Sequence, residues 1–267
     1  LLFADDTCLF ISGEDPAITA EVLNRDLNKI GIWAKKLKVL FNASKSKDLI
    51  FTRNKYLFNS PPLILNDSYI TRVHQHCHLG IWLSSKLDWD KQITTAVLKA
   101  NGKLAVLRSI KFLDRATLDL LYKLTVRSVL DYGMIVYYHS LTQVQLARLN
   151  RVQYRAARLC SGALPFTRQA KLEQDMCWES LANRADFLSL TVFHKIVLGL
   201  TRPLITKCMP SPKIRNKNTR SFVPFHLFPF QHEYFSKTFF PYTTKLYNKL
   251  EHSLRNERDL LEFKSRL

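Results

Sequence analysis

The spacing of apolar residues changes period near residue 88, and that change divides the chain into two kinds of structure. Before it, short apolar runs alternate with turn residues. Leu49-Ile50-Phe51-Thr52, Leu63-Ile64-Leu65, Tyr69-Ile70 and the run from Leu79 to Leu83 read as strands, with Asn66-Asp67-Ser68 as a turn. Leu1 to about residue 12 reads as two short buried strands around a pair of aspartates. One helix interrupts this part, from Asp15-Pro16 to about Lys38, with Ile18, Val22, Leu27, Ile30, Ala34 and Leu37 at three- and four-residue spacing. After residue 88 the pattern is helical. Ile93, Val97, Ala100, Leu104 and Leu107 mark one amphipathic helix whose apolar stripe ends near Phe112. Asp114 caps a second, through Leu118, Leu121, Leu124 and Leu130. A third runs from Thr142 to about Cys160 and stops at Ser161-Gly162; a fourth spans roughly Trp178 to Leu200. Residues 201–241 hold six prolines and read as an extended strap, with helical segments near 243–250 and 259–267 after it. The expected fold is α+β: a small β part over 1–88, a helical region over 89–200, then strap and terminal helices over 201–267.

Composition supports the helical reading, since 7 glycines and 10 prolines in 267 residues are too few for a turn-rich sandwich or barrel. Charge says more about partners. Lys and Arg number 40 against 22 Asp and Glu, a net +18, distributed as +1 over 1–90, +9 over 91–201 and +8 over 202–267. A fold that accepts so much self-repulsion points to a polyanionic partner, above all nucleic acid. The five cysteines contain no Cys-x-x-Cys pair, which excludes a tetra-cysteine zinc site and a disulfide framework. That usage fits a reducing compartment, so an intracellular location, nucleus or cytoplasm, is expected. No apolar run reaches the length of a membrane span, and no membrane partner is expected. The chain opens at Leu1, directly on a dense apolar and acidic motif, and reads as a fragment whose upstream part is missing.

Phe3-Ala4-Asp5-Asp6, flanked by apolar residues, carries the chemistry. Two carboxylates fixed at one edge of a strand–turn–strand can hold divalent metals for phosphoryl transfer. Adjacent aspartates in a turn are more often simply solvated, and on the dipeptide alone, even with its apolar flanks, that reading is preferred. The resemblance of the wider sequence points the other way. Leu2-Phe3-Ala4-Asp5-Asp6-Thr7 resembles the (Phe/Tyr)-Ala-Asp-Asp box of reverse transcriptases, in the form found in non-LTR (LINE-like) retrotransposons. In matching order follow Leu40-Phe41-Asn42-Ala43-Ser44-Lys45-Ser46 and His78-Leu79-Gly80-Ile81 with Leu87-Asp88-Trp89. Then come Leu121-Tyr122 through Gly133, Gln153 to Arg158 with Ser161-Gly162, and Tyr247-Asn248-Lys249-Leu250 with Glu262-Phe263-Lys264. Phe3 stands where many members have Tyr, His78 where an aromatic is common, and Tyr247 where a tryptophan is usual.

The resemblance implies a palm remnant with primer-grip-like Leu79 and Gly80, then a helical thumb and C-terminal region. It implies catalytic and Mg²⁺-binding roles for Asp5 and Asp6, an RNA template, a DNA primer and dNTP substrates. The implied function is the C-terminal part of an RNA-directed DNA polymerase that extends a primer by two-metal phosphoryl transfer. The fingers, the rest of the palm and a further metal-binding aspartate would lie in the missing N-terminal portion, so the chain alone is expected to be inactive. The alternative is a non-catalytic nucleic-acid-binding remnant of such an element.

Arg148, Arg151, Arg155 and Arg158 recur at 3-4-3 spacing beside an apolar stripe of Leu149, Val152, Ala156 and Leu159, so four guanidiniums are expected to face a phosphate backbone. Lys99 and Lys103 are further candidates for nucleic-acid contact on the first post-boundary helix. His74, His76 and His78 invite a zinc reading at strand spacing, but no second ligand group follows, and the structural reading is preferred. The phenylalanine-rich stretch 222–240 reads as an anchored strap, and Trp33, Trp82, Trp89 and Trp178 as core residues.

Overall fold

The computed structural model describes residues 2–3, 6–52, 60–212, 224–230 and 232–267. It divides into two compact units, Leu1–Gln92 and Ile93–Leu267. In the first unit, β1 (Leu2–Phe3) and β2 (Asp6–Thr7) pair antiparallel, with Leu2 opposite Thr7 and Phe3 opposite Asp6. The expectation of buried strands is corrected at this point. Pairing stops at Thr7, two residues into each strand, and Leu9, Phe10 and Ile11 beyond it are exposed.

α1 (Pro16–Lys36) begins where expected: the Asp15 carboxylate accepts the Ala17 N–H at 2.7 Å, and Pro16 occupies the first turn, where no N–H is needed. Its buried face is Ala20, Leu27, Gly31 and Ala34. Ile18, Trp33 and Leu37, expected inside, are exposed. At about 100° per residue they point away from the Ala20–Leu27–Ala34 stripe, Ile18 to the opposite side. β3 (Lys47–Asp48) comes next, then the hairpin of β4 (Ile64–Leu65) and β5 (Ser68–Tyr69). Asn66 and Asp67 join these strands with φ of 49° and 62°, as a two-residue type I′ turn requires. Ala20 and Leu27 form a core with Leu63, Leu65 and Ile70. Asn24 fixes the fit, donating to the Pro62 carbonyl and accepting the Ile64 N–H at 2.9 Å.

β6 (Thr71–Arg72) pairs parallel with β3. The strand expected at Leu49–Thr52 is therefore displaced to Lys47–Asp48. Arg72 Nε grips the Asp48 carboxylate at 2.8 Å while its other nitrogens donate to the Ser60 and Pro61 carbonyls, and the Thr52 N–H leaves for the Ser85 carbonyl. β7 (Gln75–His78) and β8 (Ile81–Ser84) form an antiparallel hairpin with His78 opposite Ile81. Leu79 and Gly80, read from sequence as the start of the strand, are its turn, with φ of 47° and 78°.

α2 (Asp90–Ser109), which carries the chain into the second unit, buries Ile93, Ala100, Leu104 and Leu107 of the expected stripe and Ala96 beside it, while Val97 is half-buried and Phe112 lies past its end and is exposed. α3 (Arg115–Leu121) is capped by Asp114 and runs through a π-helical turn, Tyr122–Arg127, into α4 (Ser128–Asp131). The π turn changes the buried set. Leu118, Tyr122, Val126 and Leu130 face inward at a constant spacing of four, and Leu124, expected in the core, is turned to solvent. α5 (Met134–Tyr137) starts at Gly133, φ 67°. α6 (Gln143–Ser161) has a full capping box between Thr142 and Gln145 and ends at Gly162, also φ 67°. α7 (Gln169–Asp175) and α8 (Leu181–Val197) follow, α8 capped by Ser180.

The expected strap is broken by short helices: α9 (Pro203–Thr206) and α10 (Glu233–Ser236), then α11 (Phe239–Tyr247), α12 (His252–Arg255) and α13 (Leu260–Arg266). Three of its described phenylalanines anchor it, while Phe230 and Phe235 are exposed. Phe225, Phe239 and Phe240 pack on a core of Leu190, Phe193, Tyr247, Leu254 and Phe263. Asn248 accepts the Phe225 N–H at 3.2 Å and donates to its carbonyl at 3.0 Å, standing in for a neighbouring strand. The fold is α+β with a mainly helical C-terminal region. No described helix is long and apolar enough to cross a membrane.

Candidate acidic hairpin and nucleic-acid interface

Asp6 sits on β2 with an exposed side chain, while Asp5 lies outside the described residues. Asp6 is close enough to act on His76. Burial lowers the pKa of that histidine, His78 and Lys47 push it further down, and Asp6 opposes them. β2, β3 and β7 thus bring a carboxylate, a lysine and two imidazoles within electrostatic reach of one another. His76 and His78 are half-buried on one face of β7, whereas His74 lies at a bend before the strand. Among the described residues no three His, Cys, Asp or Glu side chains converge to hold a metal ion. An exposed carboxylate is nevertheless the donor type Mg²⁺ takes, since that ion is satisfied by one or two carboxylates together with water and substrate phosphates. Leu79 and Gly80 project at the exposed tip of the neighbouring hairpin.

In the second unit, α6 buries Leu149, Val152, Gln153, Ala156 and Ala157, with Leu159 half-buried at the margin. Its four arginines are not equivalent. Arg151 and Arg155 are exposed; Arg148 is half-buried and donates to Thr94 Oγ1 at 2.9 Å. Arg158 is half-buried too, its guanidinium 5.8 Å from the Tyr154 ring centre, with Nε enclosed and unpaired. Lys99 and Lys103 are exposed on α2. Arg168 and Lys171, which the sequence reading did not single out, are exposed cations as well. Their signal was present, because no acidic residue stands between Asp131 and Glu173.

Several motif residues of the second unit pack and hydrogen-bond within it. Tyr122 stacks on Trp178 with ring centres 3.9 Å apart and donates to Gln153 Oε1 at 3.2 Å, while the Gln153 amide donates to Glu173 and to the Glu179 carbonyl. Asp131 accepts Arg184 Nε at 3.0 Å, and Arg127 reaches Glu179 at 3.2 Å. Tyr247 and Phe263 hold His194 between them. The ring stacks on Phe263 at 3.8 Å, Nδ1 meets the Tyr247 hydroxyl at 2.9 Å, and Nε2 meets the Glu257 carbonyl at 2.9 Å. A carbonyl only accepts, so Nε2 bears the proton and Nδ1 accepts from Tyr247.

The chain is similar in sequence to the RNA-directed DNA polymerases of non-LTR retrotransposons. The relatives include a Drosophila melanogaster protein named "Probable RNA-directed DNA polymerase from transposon X-element", 23% identical over 65% of this chain, and the RNA-directed DNA polymerase of mobile element jockey from Drosophila funebris, 25% identical over 65%. The retrovirus-related Pol polyprotein of type-1 retrotransposable element R1 from Bradysia coprophila is 26% identical over 70%. The chain spans about a fifth of these proteins, 19% of each. No family model and no solved structure matches it.

Proposed function

We propose that the chain is the palm edge, thumb and C-terminal helical region of an RNA-directed DNA polymerase, acting in the complete enzyme on an RNA template, a DNA primer and dNTPs. The similarity to the X-element and jockey polymerases is the observation that supports this most. In this reading Asp5 and Asp6 would hold Mg²⁺, which would supply charge neutralisation as the primer 3′-oxygen bonds to the α-phosphorus of the dNTP and pyrophosphate leaves. The Leu79–Gly80 turn steadies the primer end. Arg151 and Arg155, with Arg148, Arg158, Lys99 and Lys103, bind the phosphate backbone. Such a protein would work in the nucleus or cytoplasm. The test is RNA-templated primer extension by a polypeptide joining this chain to the fingers and upstream palm of a relative. Asp5→Asn should reduce incorporation by about a thousandfold or more, as loss of a member of a catalytic unit does, while hybrid binding persists. Extension at the parental rate by both Asp5→Asn and Asp6→Asn would remove the catalytic reading and leave a nucleic-acid-binding remnant.

A further inference from the structure

Gly162 ends α6, and the chain then turns through Ala163-Leu164-Pro165-Phe166 before α7 begins after Arg168. Phe166 is 96% exposed, the most exposed of the described large apolar side chains. Its backbone has φ 72°, a region a bulky residue occupies only when its surroundings impose it. The surroundings here are specific: the Thr167 hydroxyl donates to the Leu164 carbonyl at 2.8 Å, and the Ala163 N–H to Ser161 Oγ at 3.3 Å. The ring is held out into water by a conformation that glycine or asparagine would adopt at lower cost.

The stretch of sequence that carries Phe166 is uniformly cationic, which favours a polyanionic partner. Between Asp131 and Glu173 the chain contains no carboxylate but six cations, Arg148, Arg151, Arg155, Arg158, Arg168 and Lys171. An apolar protein patch would have to be strongly acidic to settle there. A single-stranded nucleic acid supplies the phosphates and a flat apolar face in one molecule, and each base has such a face whatever its identity. A continuous duplex offers phosphates but keeps its bases stacked.

We propose that Phe166 stacks an unpaired base of a nucleic-acid strand whose backbone is held by the cations of α6 and the following loop, so that this end of the helix prefers a single strand to a duplex. The inference rests on the nucleic-acid binding of the preceding section and adds a contact that depends on strandedness.

The test uses the whole chain, with an unstructured fluorescent oligoribonucleotide and a blunt RNA–DNA hybrid of equal length as probes, at several salt concentrations. Stacking contributes about 1–3 kcal/mol per base, and 1.4 kcal/mol is tenfold, so Phe166→Ala and Phe166→Leu should each weaken single-strand binding by roughly fivefold or more. Hybrid affinity and the salt slope should not change, and Phe166→Trp should bind as the parent does. Phe166→Gly should also bind weakly, yet melt at the parental temperature or above, because glycine accepts the positive φ without strain. Leucine binding as well as phenylalanine would overturn the proposal, as would equal losses on both probes or an alanine variant within about twofold of the parent. So would a change in sedimentation of the alanine variant, which would assign the ring to a second copy of the chain. If the parent binds neither probe, or binds without salt dependence, it is the nucleic-acid reading itself that fails.

Discussion

At the scale of single residues, two buried histidines bias the stability of the second unit against acid. His139 is stacked on Tyr242 with ring centres 3.7 Å apart, its side chain is 6% exposed, and Nε2 lies 3.3 Å from Ser189 Oγ. Burial pushes its pKa down to about 4. Asp186 approaches within 3.8 Å but already accepts the Tyr242 hydroxyl at 3.1 Å, and desolvation outweighs its attraction. A histidine held below its unfolded value of about 6.5 stabilises the fold fully above that pH, and the contribution is lost as pH falls toward 4. His194, also lowered by burial, acts in the same direction, whereas the raised Asp186 opposes both at lower pH. Stability measured by urea unfolding should therefore fall between pH 6.5 and 4, by up to roughly 3 kcal/mol for His139 alone. His139→Gln should flatten that part of the profile. Tyr247→Phe should cost about 1–3 kcal/mol at neutral pH, since it leaves the buried His194 Nδ1 without its donor. A melting temperature equal to the parent's would show that the hydroxyl is dispensable.

Among the elements, α6 is where sequence and structure agree in outline and differ in detail. Its limits, caps and buried face were legible because a capping residue, a terminal glycine and a 3.6-residue period coincide there. The unequal exposure of its arginines was not legible, because it depends on Thr94 and on how Arg158 folds over Tyr154. Each neutralised phosphate contributes about 0.7–0.9 to the log–log salt slope, so Arg151→Gln with Arg155→Gln should lower the slope on an RNA–DNA hybrid by roughly 1.4–1.8. Arg148→Gln with Arg158→Gln should lower it by less, and an equal effect of the two pairs would show that the half-buried guanidiniums swing out on binding. The π turn at Tyr122–Arg127 and the positive φ of Leu79 escaped sequence reading for another reason: neither residue type advertises such a backbone, and packing and hairpin register impose it.

For the molecule as a whole, the motifs shared with reverse transcriptases divide by task. Those from Tyr122 onward build the helical unit, through the Tyr122–Trp178–Gln153 node and the Tyr247–His194–Phe263 stack, while Asp6 lies on a two-strand ribbon in the first unit. Such a ribbon is marginal by itself, so amide exchange should be faster at Phe3–Phe10 than at Leu118–Leu130; the reverse order would contradict the division. The α+β class was legible from the change of apolar period, because long helices announce themselves through repetition. The short strands did not, since a two-residue pairing is fixed by partners far away in sequence. The proposed function requires that this chain engage nucleic acid through its cationic helical region independently of Asp5 and Asp6. The direct measurement is the affinity of the chain, and of its Asp5→Asn/Asp6→Asn variant, for an RNA–DNA hybrid across a range of salt concentrations. Steep, parallel, linear log–log plots are expected for the two proteins. Affinity that does not change with salt, or that collapses in the double variant while the fold is intact, would contradict the proposed function.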